Sequence, residues 1–320
     1  MPIAVRQCVS WLLQRGLIIL LLAVLMAPAA VARPTILTSI HPLALIAHEV
    51  AGDQANIEVL VPVGASPHTY SMRPSERRLL DSADVFLWVG PEMETFLSRV
   101  IKQPDIASRE FALGKGLLSG HDHHHHGDHK HGHGHDSQTV VKKTSDHDGD
   151  PHLWLDPELV AVMAKRLVNH LSKHPKFDGD QLNHRLERFH SELKAHSEAL
   201  YEQLTPAREL SLFTYHDAFR RFADRFDLNM AGTLTINPER RPGARRLAQL
   251  REHLEAAESP CVMTEPQFSQ NWWDGLVSDT GLRVSVWDPL GQSVEPAEGS
   301  YLAFLDELGN SLLGCFENGD

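Results

Sequence analysis

Histidine is the residue with the most chemistry to offer in this chain: it fills 21 of 320 positions, and nine of those fall between His121 and His135. The run HDHHHHGDHKHGHGH sets His121, His123, His124, His125, His126, His129, His131, His133 and His135 among Gly, Asp and Lys, and Asp146-His147-Asp148 follows it. Neutral imidazole is a good ligand for zinc, copper and nickel. A flexible tract loses chain entropy when it converges on one ion, so the run suits several weak, interchangeable sites. The alternative is a solvated low-complexity linker with incidental metal affinity.

One tight site has to draw its histidines from ordered positions. His68 stands in Gly64-Ala65-Ser66-Pro67-His68-Thr69-Tyr70, after an expected strand Ile57–Val61. His216 directly follows an expected strand Ser211–Tyr215, and His152 lies in Asp150-Pro151-His152-Leu153-Trp154-Leu155-Asp156-Pro157, just before a helix. Asp288 follows a further expected strand, Val284–Trp287. Open α/β sheets bind ligands beyond the carboxyl ends of their strands, where His68, His216 and Asp288 fall. From spacing alone, each histidine could equally be a hydrogen-bonded polar residue. A secreted zinc hydrolase would also use three protein ligands and one open position. The helical HExxH pair that marks many of them is missing, since His48-Glu49 is followed by Val50, Ala51 and Gly52.

The elements that must carry these residues alternate. Thr35–Ser39 reads as a strand, Leu43–Val50 as a helix, Ile57–Val61 as a strand, Pro74–Leu80 as a helix and Ala83–Val89 as a strand. Such β-α-β-α-β order specifies a parallel sheet covered on both faces. The stretch 120–150 has no hydrophobic period, and Pro157–Leu171 resumes as an amphipathic helix. From 179 to 204 the chain keeps Gly and Pro out after Gly179 and places Leu182, Leu186, Phe189, Leu193 and Leu200 on one stripe. A helix of that length is about 38 Å long. Alternation then restarts with strand Ser211–Tyr215, helices Ala218–Phe226 and Ala244–Ala256, and strands Cys261–Thr264 and Val284–Trp287. The expected architecture is α/β: two lobes with parallel sheets, 33–178 and 205–320, joined by one long rigid helix over 179–204.

With 30 Lys+Arg against 42 Asp+Glu the net charge is −12. Nucleic-acid binding by counterion release needs clustered cations, so a nucleic-acid partner is excluded. Residues 1–32 read as a secretory signal peptide. Arg6 and Arg15 are its only charges before the apolar run Leu17–Met26, and Ala30-Val31-Ala32 offers small residues for cleavage. Ten apolar residues span only about 15 Å, half a bilayer core, so no membrane anchor is expected in the mature chain. Cys8 leaves with the leader. Cys261 and Cys315 remain, in a compartment where disulfides persist, and a bridge between them would restrict the unfolded chain by about 4 kcal/mol. Two free buried thiols are the alternative. With no GxxxxGK[ST] motif, the chain cannot be an ATPase of the nucleotide-binding kind.

Six segments taken together resemble a known family. They are GASPHTYSMRPSERRLLDSADVFLWVGPEME (Gly64–Glu94), HLWLDPE (His152–Glu158), FTYHDAF (Phe213–Phe219), TINPERRPG (Thr235–Gly243), TEPQF (Thr264–Phe268) and WDPLG (Trp287–Gly291). Their order and content are similar to the periplasmic zinc-binding proteins of bacterial zinc ABC transporters, in the cluster A-I metal-binding family, over nearly the whole mature chain. The resemblance implies Zn²⁺ as transported ligand, held in the cleft between the lobes by His68, His152 and His216. It implies a carrier and not an enzyme, expected to act as a monomer, that delivers zinc to a cognate membrane permease and its ATPase. Manganese-binding relatives carry a carboxylate at the position of His216, and three imidazoles suit zinc better than Mn²⁺. For the fourth ligand, Asp288 matches the aspartate of many relatives, whereas others use water or a glutamate at the position here taken by Pro67. Glu265 is expected to hydrogen-bond a ligand or to be structural. A His-rich insertion before the second ligand also fits the family.

Overall fold

Short runs of apolar residues, each cut off by a turn, build two small parallel sheets. The structure is a computed structural model, and it describes residues 32–118, 149–235, 238, 242–268 and 282–317. The expected signal peptide and the nine histidines from His121 to His135 lie outside the described residues.

In the first lobe, β1 (Thr35–Thr38), β2 (Asn56–Val59), β3 (Val85–Trp88) and β4 (Glu110–Ala112) pair in the order β2-β1-β3-β4, all parallel. The central strand β3 is buried along its whole length, while edge strand β2 is not, as a parallel sheet covered by helices requires. The chain steps from β1 to β2 on one side and then to β3 on the other. The switch point therefore lies between β1 and β3.

The second lobe repeats that plan. Strands β5 (Ser211–Thr214), β6 (Met230–Thr233), β7 (Pro260–Thr264) and β8 (Arg283–Val286) run parallel in the order β6-β5-β7-β8. Its switch point falls between β5 and β7. Cys261, in β7, and Cys315, in the last helix, are disulfide-bonded with their Cα atoms 6.2 Å apart.

Helix α1 (His41–Ala51) follows β1, and α2 (Pro74–Ser82) leads into β3. Between the lobes, Asp156 caps α3 (Pro157–Leu171) by accepting from the Glu158 amide, with Pro157 at its first position. Asp178 caps α4 (Gly179–Gln203) by accepting from the amides of Asp180 and Gln181. The stripe Leu182, Leu186, Phe189, Leu193 and Leu200 of α4 is buried against α1, α3 and a C-terminal helix α5 (Ser300–Glu317). Each such Leu or Phe contributes about 1.5–3 kcal/mol. One continuous core runs from first-lobe residues such as Ile36 and Leu45, through the α4 stripe, to second-lobe residues such as Leu212 and Phe222.

One segment of the second lobe, Asp288–Tyr301, makes a run of contacts to the first, beside those of Arg221 with Asp150 and Arg225 with Asp156. Gln292 Oε1 accepts from the Gly64 amide at 2.9 Å, and Val294 O lies 2.9 Å from His41 Nε2. Glu49 on α1 accepts from the amides of Gly299 and Tyr301 at 3.0 and 2.9 Å, capping α5. Tyr301 Oη donates to Trp154 O at 2.8 Å, and Trp154 Nε1 donates to Pro289 O at 2.6 Å.

Candidate metal centre

Three imidazoles from three separate segments converge where the lobes meet. His68 comes from the loop after β2, in which Gly64 takes a left-handed conformation (φ +83°), and buried Pro67 fixes the backbone just before it. His152 precedes a short 3-10 turn, Leu153–Leu155, whose three side chains are fully buried. His216 sits two residues past β5, at the second lobe's switch point. One ring nitrogen from each of the three lies within 4.8 Å of the others. The ring centroids are 5.3–5.4 Å apart, and the Nε2 atoms of His152 and His216 are separated by 3.4 Å.

Carboxylates hold two of these rings from behind. His152 Nδ1 is 2.8 Å from Asp150 Oδ1, and His216 Nδ1 is 2.6 Å from Glu265 Oε1. A carboxylate can only accept, so both Nδ1 atoms carry the proton and both Nε2 lone pairs are free for a cation. Glu265 closes β7 as His216 closes β5, so the pair spans adjacent strands at the switch point; Glu265 also accepts from the His216 amide. Asp150 is held in turn by Arg221 of the second lobe, which donates to its backbone carbonyl at 2.8 Å.

Burial favours the neutral form of His68 and His152. It drives the His68 pKa down to about 3, helped by the neighbouring His152 and His216 and opposed by Asp150. The His152 pKa is also lowered, chiefly by burial, with Asp150 pulling the other way. For Asp150, burial raises the pKa, but the hydrogen bonds with His152 and the charge of Arg221 outweigh it and the net shift is downward. Neutral imidazoles opposite ionised carboxylates form a socket for a soft divalent cation. The cavity they enclose is about 10 Å³, room for one water-sized particle. Trp154, Phe268, Pro289 and Leu290 supply its apolar walls.

Asp288 is not in this group. Its Oδ1 accepts from the Leu290 amide at 2.9 Å and from Gln267 Nε2 at 2.5 Å, and its Oδ2 accepts from the Gln292 amide at 2.8 Å. A carboxylate just beyond β8 is equally well placed to fold the turn that follows, and that is the use made of it here. Asp150 and Gln267 carry weaker sequence signals: the first stands two residues before a ligand histidine, the second two residues after Glu265.

A two-lobed parallel α/β frame, one helix connecting its halves and a buried three-histidine socket between them define a metal-binding solute-binding protein. Residues 36–315 match the family described as zinc-uptake complex component A, periplasmic, and the chain belongs to that family, ZnuA. The high-affinity zinc uptake system protein ZnuA of Yersinia pestis is 35% identical over 315 residues, covering 96% of this chain and 98% of that protein. Its counterpart from Haemophilus ducreyi is 33% identical, covering 89% and 94%. A crystal structure of ZnuA shares the fold with a TM-score of 0.66 at 21% identity over 88% of this chain and 99% of that one. The Pseudomonas aeruginosa protein FpvC, solved with Ni²⁺, does so with a TM-score of 0.70 at 15% identity over 90% and 98%.

Proposed function

We propose that this chain captures Zn²⁺ in the periplasm and hands it to the membrane permease and ATPase of an ABC-type zinc importer. The observation that carries this reading is the convergence of His68, His152 and His216 around a cavity the size of one ion. Zinc is cargo here, so tight capture has to coexist with release. Ligands drawn from both lobes make binding energy and interlobe closure energy the same quantity, and the contacts of Asp288–Tyr301 limit how far the lobes can part. Among the described residues no helix is long and apolar enough to cross a membrane.

Residues 1–32 would serve as the export signal and the rest would act as a monomer. The histidines from His121 to His135 would collect zinc loosely ahead of the tight site. The experiment is a zinc titration of the mature protein, a His216→Ala variant and a variant lacking 120–147, which keeps Asp150 behind His152. One tight equivalent is expected in the first and third, and its loss in the second. Unchanged tight binding in His216→Ala would refute the reading.

A further inference from the structure

Three residues lining the three-histidine cavity each carry a buried oxygen without a hydrogen-bond partner: Ser66 Oγ, a hydroxyl that can donate as well as accept, and two oxygens that can only accept, Glu265 Oε2 and Gln267 Oε1. Gln267 cannot be turned around to remove its orphan. Its other amide atom faces Asp288 Oδ1 at 2.5 Å, and an ionised carboxylate has no proton to give. The NH₂ group must therefore be the one facing Asp288, and the carbonyl oxygen is left over. Asp288 is locked in its own place by the amides of Leu290 and Gln292. Buried acceptors left unpaired are costly, and pairs of them mark places where a ligand or water belongs.

Three imidazoles leave one corner of a zinc tetrahedron to fill. Pro67 has no donor atom and Asp288 is engaged elsewhere. A water molecule offers one lone pair to the metal and two hydrogens, matching the two orphan acceptors.

We propose that Gln267 is a specificity-determining residue of this site. Its Oε1 and Glu265 Oε2 accept the two hydrogens of the water that completes the zinc tetrahedron, and Asp288 is the positioning residue that aims the Gln267 amide. This rests on the zinc-carrier reading. A single oriented water favours an ion content with three nitrogens and one oxygen over Mn²⁺, which calls for more oxygen ligands. It also leaves the cargo one exchangeable ligand through which release can begin.

The test compares the mature wild-type protein with Gln267→Leu, Gln267→Met, Asp288→Asn and His216→Ala. Zinc affinity is measured against a chromophoric chelator, and the d–d spectrum of bound Co²⁺ reports the donor set. Both Gln267 variants should bind zinc about 10–100-fold more weakly and shift the Co²⁺ bands. Met, nearly the size of Gln, guards against a packing defect in the Leu variant. Asp288→Asn keeps one oxygen for Leu290 and Gln267 but sets an NH₂ against the Gln292 amide, so it should lose about as much as the Gln267 variants, about 10–100-fold. A loss beyond about a thousandfold in Asp288→Asn would make that residue a ligand and overturn the proposal, as would unchanged affinity and spectra in both Gln267 variants. His216→Ala probes the carrier reading separately: tight binding there sinks that reading whatever the Gln267 variants do.

Discussion

The Nε2 atoms of His152 and His216 stand 3.4 Å apart, with the opposite nitrogen of each ring held by a carboxylate. Two nitrogens bound to one zinc at about 2.0–2.1 Å in a tetrahedron are about 3.3–3.4 Å from each other. The fold thus sets one edge of the coordination polyhedron itself, and His68, carried on a loop and less buried than the other two, is the ligand left to adjust.

That arrangement predicts a cost for releasing either ring. Asp150→Ala and Glu265→Ala, which free the His152 and His216 rings, should each weaken zinc binding about 10–100-fold, within the range found for residues that orient metal ligands. Chelator-competition titrations at neutral pH check this, and wild-type affinity in both variants would mean that packing alone orients the rings.

Proton competition should be shallow. An ordinary imidazole with a pKa near 6.5 costs zinc affinity about 30-fold between pH 7 and pH 5, and three of them about 30-fold each. His68, with its pKa near 3, stays neutral across this window, and His152 is shifted the same way. The total loss between pH 7 and pH 5 should then stay below about a hundredfold. A loss approaching ten-thousandfold would show that all three titrate as free imidazoles.

How much of this was legible beforehand depended on the kind of signal. Helix α4 could be read directly, because its apolar stripe repeats at helical spacing without a break after Gly179. Helix α5 could not: Gly309 and Gly314 interrupt its pattern, yet Gly309 is where a neighbouring helix comes close, since an added Cβ would meet Leu200 at 2.7 Å. Strands β4 and β6 are edge strands of three and four residues, too short for alternation to declare itself. The three histidines stood out at segment ends, but spacing alone left each one equally a hydrogen-bonded polar residue, and only the resemblance of their motifs grouped them. The use of Asp288 was not, because a carboxylate that ligates and one that caps a turn look alike in sequence.

Trp154 couples the two lobes through one side chain. Its indole donates to Pro289 O while its carbonyl accepts from Tyr301, and its ring meets His152 edge to face at 5.4 Å. Trp154→Phe keeps an aromatic ring and leaves Pro289 O unpaired, which should cost about 1–3 kcal/mol of stability. Zinc dissociation should quicken as well, because closure and binding share this contact. Stopped-flow chelator capture reads that rate, and an unchanged rate alongside a lowered melting temperature would reduce Trp154 to a purely structural residue.

The Cys261–Cys315 bridge ties β7 to α5, and neither cysteine lines the metal cavity. Replacing both cysteines with serine should remove about 4 kcal/mol of unfolded-state restriction and leave the zinc affinity within about threefold, since no metal ligand moves. Chemical denaturation and zinc titration of the same sample separate the two effects. A large loss of affinity would show that the bridge positions Glu265 at the end of its strand.

Glu94 occupies the first lobe's counterpart of the His216–Glu265 position. It is fully buried and accepts from Ser39 Oγ and from the amides of Val89 and Gly90, the residues that follow β1 and β3. Burial raises its pKa to about 7 despite those hydrogen bonds. Between about 4.5 and about 7 the folded protein keeps a proton that the unfolded chain has released. Folded-state stability from this group is therefore complete at low pH and falls as pH rises through that window. Glu94→Gln carries no such proton, so its stability relative to wild type should climb from pH 5 to pH 7 and level off above. The rise of stability with pH that neutral His68 and His152 impose over the same range is common to both proteins and cancels in the difference. Urea unfolding of the zinc-free proteins at about four pH values is enough to decide. A difference that stays flat would mean that Glu94 is already ionised at pH 5, stabilised by its three donors more strongly than burial opposes them.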